Sequence, residues 1–285
     1  MKIIESILQQ MPGISQPQKK FLITLFSTIL LVYGKVNFTN LSRYSCLSEK
    51  TYRRHFLKSF NFSQFNQYFL KEALNPEHTI IAVIDCYFLR KSGKKNDGKA
   101  YFYNGVAGNS EEGLEISVLS IVEIETRLSY SLSVQQTPSR PQIKPAKKLP
   151  QKPKNCWSKK PRKKPDSQSS KPEITRVDDY AQHLKNTRYF FPSSVRYLVA
   201  DGYYYRSKFW EAVRELNLDF IGKLRVDANL RYLYTGEQKK LGAPRKYDGK
   251  VDCHDLSRLN FVKEIKPGVS LYTLVEGELL FKLPN

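Results

Sequence analysis

The chain has 285 residues, of which 40% are hydrophobic, an ordinary proportion for a globular protein. Its 47 lysines and arginines stand against 27 acids, a net charge of +20 that should attract a polyanion such as DNA, RNA or an acidic membrane surface, although a merely basic protein would look the same. Its four cysteines have no C-x-x-C spacing and do not group with the four histidines, which argues against a zinc site.

Residues 1–75 are predicted to form a small helical domain, because apolar residues recur at three and four spacing from Pro17 to about Leu70. The N-terminal residues Met1 to Gln10 lack the order of basic, apolar and small residues that is typical of a signal peptide. Free thiols in a reducing cytoplasm are therefore expected. The longest apolar run, Phe21 to Tyr33, falls short of the roughly 20 residues that a membrane-spanning helix needs. We interpret this run as a buried core helix and expect no membrane partner.

Two short helices around a tight turn are predicted within this domain. The first should be capped by Thr39 or Asn40, and the second should have Ser48 as its N-cap. The second helix is basic, and a helix-turn-helix fits the pattern, but so does an ordinary helical hairpin whose charges face water. If the segment is a helix-turn-helix, its DNA-binding residues are Lys50, Arg53, Arg54 and Lys58.

A set of strands is predicted next, in residues 76–137. The apolar stretch Thr79 to Asp85 reads as a buried strand that ends in an acid. Tyr101 to Val106 is a second strand, and Leu114 to Ile124 should form a hairpin with Arg127 to Val134.

Residues 138–175 change character abruptly. Eight prolines between Pro138 and Pro172 alternate with lysines and arginines, and Asp166 is the only acid there. Such a segment cannot form a core, so we expect an extended, disordered loop. Its positive charge suits electrostatic binding to phosphate backbones, and such binding weakens as the salt concentration rises. The alternative is a solvated insertion.

The α/β pattern returns in residues 176–226. A helix near Val177 to Asn186 precedes the strand Val195 to Ala200, which ends in Asp201. A helix over Ser207 to Leu216 and a strand over Asp219 to Leu224 follow. In residues 227–285, the runs Leu230 to Tyr234, the turn-rich Gly242 to Lys250 and Val269 to Lys282 read as short strands and loops without a convincing long helix.

Asp85 and Asp201 are the candidate catalytic pair. Each follows an apolar strand, and acids at the carboxyl ends of neighbouring parallel strands can share a site. Carboxylates suit Mg2+ or Mn2+, and two such ions can support an in-line displacement at phosphorus. The alternative for either residue alone is an aspartate that caps a turn.

Several blocks resemble, in the expected order from about residue 15 to about residue 273, the bacterial insertion-sequence transposases of the DDE class, in the insertion-sequence-four-like group. The first catalytic block is matched by Ala82 to Cys86, Lys91 to Lys95, Tyr101 to Gly105, Gly113 to Ser117 and Ser133 to Pro138. Later blocks are matched by Val199 to Tyr205, Gly222 to Arg231 and Gly242 to Lys250.

The resemblance implies an α/β, RNase H-like mixed sheet with an N-terminal helix-turn-helix-like domain and a strand-rich insertion. It also implies that Asp85 and Asp201 bind the catalytic Mg2+ or Mn2+ ions. The third ligand of the family, a glutamate in a pattern of Tyr, two residues, Arg, three residues, Glu, six residues, Lys, is not found, and Tyr203, Arg206 and Glu211 miss it by one residue. We therefore expect a C-terminally truncated chain, with Glu264, Glu276 and Glu278 as weaker alternatives.

The function implied is metal-dependent cleavage and strand transfer on double-stranded DNA, at element ends and target, by a homodimer in the bacterial cytoplasm on the nucleoid. The alternative is a remnant that binds element ends without cutting them. Near the cut, Tyr203, Tyr204 and Tyr205 are candidates to stack on an unpaired base, with Arg206 as a further DNA contact. The alternative is that at least one of the tyrosines packs under the helix that follows, and we expect one of them to stack and two to be structural. A general RNA-binding protein is disfavoured because no RNA-recognition signature is visible.

Overall fold

Five helices precede the first strand in the computed structural model. The structure describes residues 2–91, 93, 96–140, 174–224, 228–239, 242–252 and 254–274, and the backbone of 277–280. The helices are α1 (Lys2–Gln10), α2 (Gln16–Leu31), α3 (Phe38–Arg43), α4 (Glu49–Phe56) and α5 (Phe62–Ala73). Most of the predicted basic loop, residues 141–173, lies outside the described residues.

The five helices share one apolar core. Its buried members come from all of them: Ile7, Leu8, Met11, Phe21, Leu22, Leu25, Leu41, Tyr52 and Phe65. In α2 the buried residues recur every three or four positions, so a single side of the helix faces this core. Leu30 and Leu31 in its last turn are 76% and 68% exposed. The interpretation of the run Phe21 to Tyr33 as a buried core helix is therefore wrong at its C-terminal end.

The helix caps confirm one prediction and correct another. Ser48 is the N-cap of α4, and its Oγ accepts a hydrogen bond from the backbone N–H of Thr51 at 3.3 Å. The N-cap of α3 is Asn37, not Thr39 or Asn40: Asn37 Oδ1 accepts from the backbone N–H of Asn40 at 2.8 Å. None of the helices in the described part of the chain is long and apolar enough to cross a membrane.

A six-stranded mixed sheet follows the helices. Its strands are β1 (Ile80–Arg90), β2 (Ala100–Asn104), β3 (Asn109–Glu123), β4 (Leu128–Gln136), β5 (Tyr197–Ala200) and β6 (Asp219–Gly222). The order is β2-β3-β1-β5-β6, and β4 also pairs with β3, so the predicted hairpin is confirmed. β1 is antiparallel to β3 and parallel to β5, which is parallel to β6.

In the described part of the chain, the helices that cover this sheet lie on one face. These are α5 and two further helices, α6 (Arg176–Thr187) and α7 (Ser207–Glu215), both predicted from the sequence. They bury alternate residues of the central strands, such as Ile84 of β1, Leu119 of β3 and Leu198 of β5.

The first strand is longer than the sequence predicted. Asp85 was expected to end it, but β1 continues to Arg90 because β3 keeps pairing with it as far as Gly113. The apolar run ends at Ile84, so burial stops there while the ladder of hydrogen bonds continues. Asp85 is thus a mid-strand residue at the point where β1 emerges from the core.

Short strands make up the remainder, as expected. β7 (Asn229–Leu233), β8 (Tyr247–Lys250) and a last strand, β11 (Gly277–Leu280), form a three-stranded sheet. β9 (Asn260–Lys266), which the sequence did not predict, pairs with β10 (Val269–Thr273). The mixed α/β fold with a strand-rich C-terminal part is confirmed and is compatible with an RNase H-like fold.

A buried histidine ties α6 to two strands. His183 lies between the hydroxyls of Ser117 on β3 and Ser133 on β4, each 2.9 Å from a ring nitrogen. Burial lowers the pKa of His183 from 6.5 to about 4, so the ring is neutral near pH 7. A neutral imidazole can donate to one hydroxyl and accept from the other.

We predict that acid destabilises the fold through His183. The unfolded chain takes up this proton near pH 6.5 and the folded chain only near pH 4, so stability is present above pH 6.5 and is lost as the pH falls toward 4, by up to about 3 kcal/mol. In urea unfolding across this range, His183→Gln should be less stable at pH 7 and lose less on acidification. An equally steep loss in that variant would contradict this.

Candidate active site

The two candidate aspartates lie side by side on neighbouring strands. In the parallel β1–β5 pair, Ala82 is opposite Leu198 and Val83 is opposite Val199. Asp85 and Asp201 each come two residues later and are exposed. Residues 116 positions apart in the sequence are thereby brought together where β1 and β5 emerge from the core.

Backbone hydrogen bonds hold one oxygen of each carboxylate. Asp85 Oδ1 accepts from the N–H of Cys86 at 2.8 Å. Asp201 Oδ1 accepts from the N–H of Tyr203 at 2.9 Å, so Asp201 is the cap of the 3-10 helix Gly202–Tyr204. The second oxygen of each aspartate makes no hydrogen bond within the described residues, which leaves it available to a ligand.

The pKa of the Asp85 carboxyl is raised from its ordinary value. Partial burial raises the pKa of Asp85, the Cys86 N–H lowers it, and the negative charge of Asp201 raises it again. A divalent cation would relieve this repulsion, and carboxylate oxygens are the hard donors that Mg2+ and Mn2+ prefer. The pair therefore fits part of a metal coordination shell. Across the described ranges, no set of three or more His, Cys, Asp or Glu side chains could hold a metal.

A buried glutamate that the sequence analysis did not single out lies close to this site. Glu115 on β3 is 4% exposed, and its Oε1 accepts the hydroxyl proton of Tyr180 at 2.5 Å. Arg176 Nη1 lies 3.7 Å from its other oxygen. The signal available in the sequence was an acid at a position that alternation along β3 turns toward the core.

Tyr180 links Glu115 to the segment that follows Asp201. The ring centroid of Tyr180 lies 5.3 Å from that of Tyr204 and 6.4 Å from that of Tyr203. Cys86 lies in the same cluster, where burial above all, then the charges of Glu115 and Asp85, raise the pKa of its thiol to about 11. The thiol stays protonated and is a poor nucleophile.

The residues expected to contact DNA near the cut differ in exposure. Tyr204 is buried, whereas Tyr203 is 42% exposed. Tyr205 is half-buried, with its ring centroid 5.8 Å from that of Phe220. Arg206 is exposed at the N-cap of α7. Tyr203 and Arg206 are therefore the more accessible of the predicted contacts.

All four basic residues predicted to bind DNA through α4 are exposed: Lys50, Arg53, Arg54 and Lys58. The opposite side of the helix packs inward through Tyr52. Arg53 is held by an ion pair with Glu49 at 2.5 Å, and its guanidinium lies 5.3 Å from the Phe38 ring centroid. Arg54 has no hydrogen-bond or ion-pair partner among the described residues, so it is the freer of the two arginines.

Three glutamates were weaker alternatives for the third metal ligand: Glu264, Glu276 and Glu278. Glu264 is exposed on β9, where its Oε1 accepts from the N–H of Gly268 at 3.1 Å. For Glu278 only the backbone is described, in β11, and Glu276 lies outside the described residues.

Comparison with known families identifies the span that holds these residues. A family model described as DDE superfamily endonuclease matches residues 65–264, which is more than half of the chain and includes Asp85, Glu115 and Asp201. No curated protein matches the chain.

We predict that Asp85→Asn abolishes metal-induced stabilisation without weakening the fold. Mn2+ at about tenfold above its Kd should raise the unfolding temperature of the unchanged chain by roughly 2–4 °C. Without metal, the variant should unfold at the same or a slightly higher temperature, because the repulsion with Asp201 is gone. Thermal scans with and without Mn2+ measure both effects.

Asp219→Asn is the matched control, because Asp219 is exposed in the same sheet, opposite Tyr197 at the other end of β5. Its response to Mn2+ should equal that of the unchanged chain. Full stabilisation of Asp85→Asn by Mn2+ would remove Asp85 from the metal site.

Proposed function

The chain belongs to the DDE superfamily of endonucleases, and from this premise we propose that it is an insertion-sequence transposase that cuts and joins DNA at the element's ends. The observation that carries the proposal is the parallel β1–β5 pairing, which puts Asp85 and Asp201 beside one another. Two acids in that arrangement suit metal-dependent phosphodiester cleavage.

Asp85 and Asp201 would hold the divalent ions, Mg2+ or Mn2+. When bound, the ions would offset the negative charge that builds up on the phosphate during an in-line displacement. The two aspartates keep a free oxygen each, and their backbone hydrogen bonds pre-orient them. Tyr203, Tyr205 and Arg206 follow Asp201 directly, where they would contact the DNA strand beside the cut.

Duplex recognition is assigned to the helical part of the chain. We propose that α4 enters the major groove with Lys50, Arg53, Arg54 and Lys58 toward the DNA. The proposed division is a DNA-binding domain over 1–75, a catalytic domain over 76–137 and 176–226, a basic loop over 138–175 and a strand-rich insertion over 227–285. A homodimer on paired double-stranded ends, in the bacterial cytoplasm, is part of the same proposal.

A second candidate is a chain that binds element ends without cutting them. One observation favours it: in the described part of the chain, no third acid joins Asp85 and Asp201 in a group able to hold a metal. Two ligands alone would leave a metal under-coordinated and the attacking oxygen poorly positioned.

We predict that cleavage separates the two candidates. Labelled duplexes from both flanks of the gene, incubated with Mn2+ or Mg2+, should be cut by the unchanged chain. Asp85→Asn and Asp201→Asn should each lower the rate by more than about a hundredfold, because each removes a direct metal ligand. Both variants should bind the duplex normally in gel-shift assays, since neither residue is expected to position the duplex. Binding without cutting by the unchanged chain favours the second candidate, and normal cutting by either variant excludes that aspartate.

We predict that Arg54→Ala weakens binding to the element's own ends about 5- to 100-fold and binding to unrelated duplex much less, as expected for a contact to a base edge. Arg53→Ala should weaken binding to the element's own ends as well. It should also lower the unfolding temperature, because it breaks the ion pair with Glu49. Fluorescence anisotropy measures the binding.

Arg196→Ala is the control, since Arg196 is exposed just before β5, away from the Asp201 end of that strand. Equal losses on both duplexes for Arg54→Ala would make Arg54 a backbone contact and α4 a poor candidate for sequence recognition.

A further inference from the structure

The face of the sheet opposite the helices carries Asp85 and three tyrosines. On β3, Val118 pairs with Asp85 and Ile116 pairs with Tyr87. Further along the same strand, Glu112 pairs with Tyr101, and Ser110 pairs with Tyr103. Directly paired residues point to the same side, and side chains alternate along a strand. Because all four partners on β3 are even-numbered, Asp85 and the three tyrosines share one face.

This face is distinct from the one that the helices cover. The odd-numbered residues of β3, such as Glu115, Ser117 and Leu119, are buried under α6 and its neighbours. Tyrosines that pack on the helical face, such as Tyr180 and Tyr204, are 1% exposed.

The three tyrosines on the opposite face are open. Tyr87 is 62% exposed, Tyr101 50% and Tyr103 59%. None of their rings packs against another aromatic ring, and none of their hydroxyls is hydrogen-bonded, within the described residues. Tyrosine is common on strands for packing reasons, but half or more of each of these three side chains is left exposed.

The tyrosines lie along a line that begins at Asp85. Tyr87 is the next residue on that face of β1, about 7 Å from Asp85. Tyr101 lies two strands away and four residues further along β3, roughly 16 Å from Tyr87, and Tyr103 is about 7 Å beyond it. The line is therefore roughly 30 Å long, suited to several nucleotides of an extended strand.

Lysines along this line offset its acids. Glu112 is the acid beside Tyr101, and Lys99 Nζ neutralises it at 3.0 Å. Lys91, just after β1, is exposed. Open aromatic rings on a sheet surface stack on unpaired bases, whereas a duplex hides the faces of its bases.

We propose that Tyr87, Tyr101 and Tyr103 form a stacking track for single-stranded DNA that leads to the phosphate held at Asp85 and Asp201. The track rests on the proposed function, because it assumes that the substrate is DNA opened near the cut. It assigns the sheet face opposite α6 and α7 to the strand that leaves the active site.

The test compares single-stranded and duplex binding by the full chain. A fluorescent mixed-sequence 16-mer, about the upper site size of a stacking groove, and its duplex are titrated in anisotropy assays. Replacing all three tyrosines by serine should weaken single-strand binding at least about tenfold and leave duplex binding within about twofold. Replacing all three by phenylalanine should retain single-strand binding, because the ring does the stacking. Tyr189→Ser is the control, since Tyr189 is 83% exposed on the 3-10 helix Arg188–Phe190 beside α6.

The outcomes distinguish failure of the track from failure of the proposed function. Unchanged single-strand binding by the serine variant, or equal losses on single strand and duplex, overturns the track even if the chain cuts DNA. A selective loss supports the track even if the chain cuts nothing with Mn2+. An unchanged chain that binds neither DNA overturns both.

Discussion

The parallel pairing of β1 with β5 positions the candidate site. It joins two apolar runs, Ile80 to Ile84 and Tyr197 to Ala200, whose alternate residues are buried in one core. Parallel strands need a long connection between them, and here that connection includes β2, β3, β4, α6 and the basic segment. Once the runs are in register, Asp85 and Asp201 come next to one another whatever their own interactions. Hydrophobic burial thus stabilises an arrangement in which two like charges repel.

The two faces of the sheet differ in what they can do. The helical face contains polar groups that are satisfied internally: Glu115 by Tyr180, and His183 by two serines. Buried polar groups are costly unless paired, so these contacts fix α6 in one orientation against β3. The opposite face carries Asp85 and the exposed tyrosines. The fixed packing of the helical face therefore supports an exposed surface on the opposite face of the sheet.

The helical part of the chain is connected physically to the sheet. α5 contributes Phe65 to the core of the first five helices and Leu70 to the core of the sheet. Asn66 also donates a hydrogen bond to the backbone oxygen of Leu132 on β4 at 3.1 Å. If α4 reads a duplex, α5 is the rigid element that relates its position to the aspartates.

The sequence by itself determined the elements whose signals are local. The buried strand before Asp85, the hairpin of β3 and β4, helices α6 and α7 and the Ser48 cap were all predictable, because apolar spacing and capping chemistry act over a few residues. Only the tertiary structure decided the rest. β1 extends past Asp85 because a partner strand continues, Arg53 is restrained because Glu49 and Phe38 lie within reach, and Glu115 is buried because α6 covers it. Which tyrosines are open also depends on how three strands align. These properties arise from residues distant in sequence, and the pattern of a single segment carries no information about its neighbours in space.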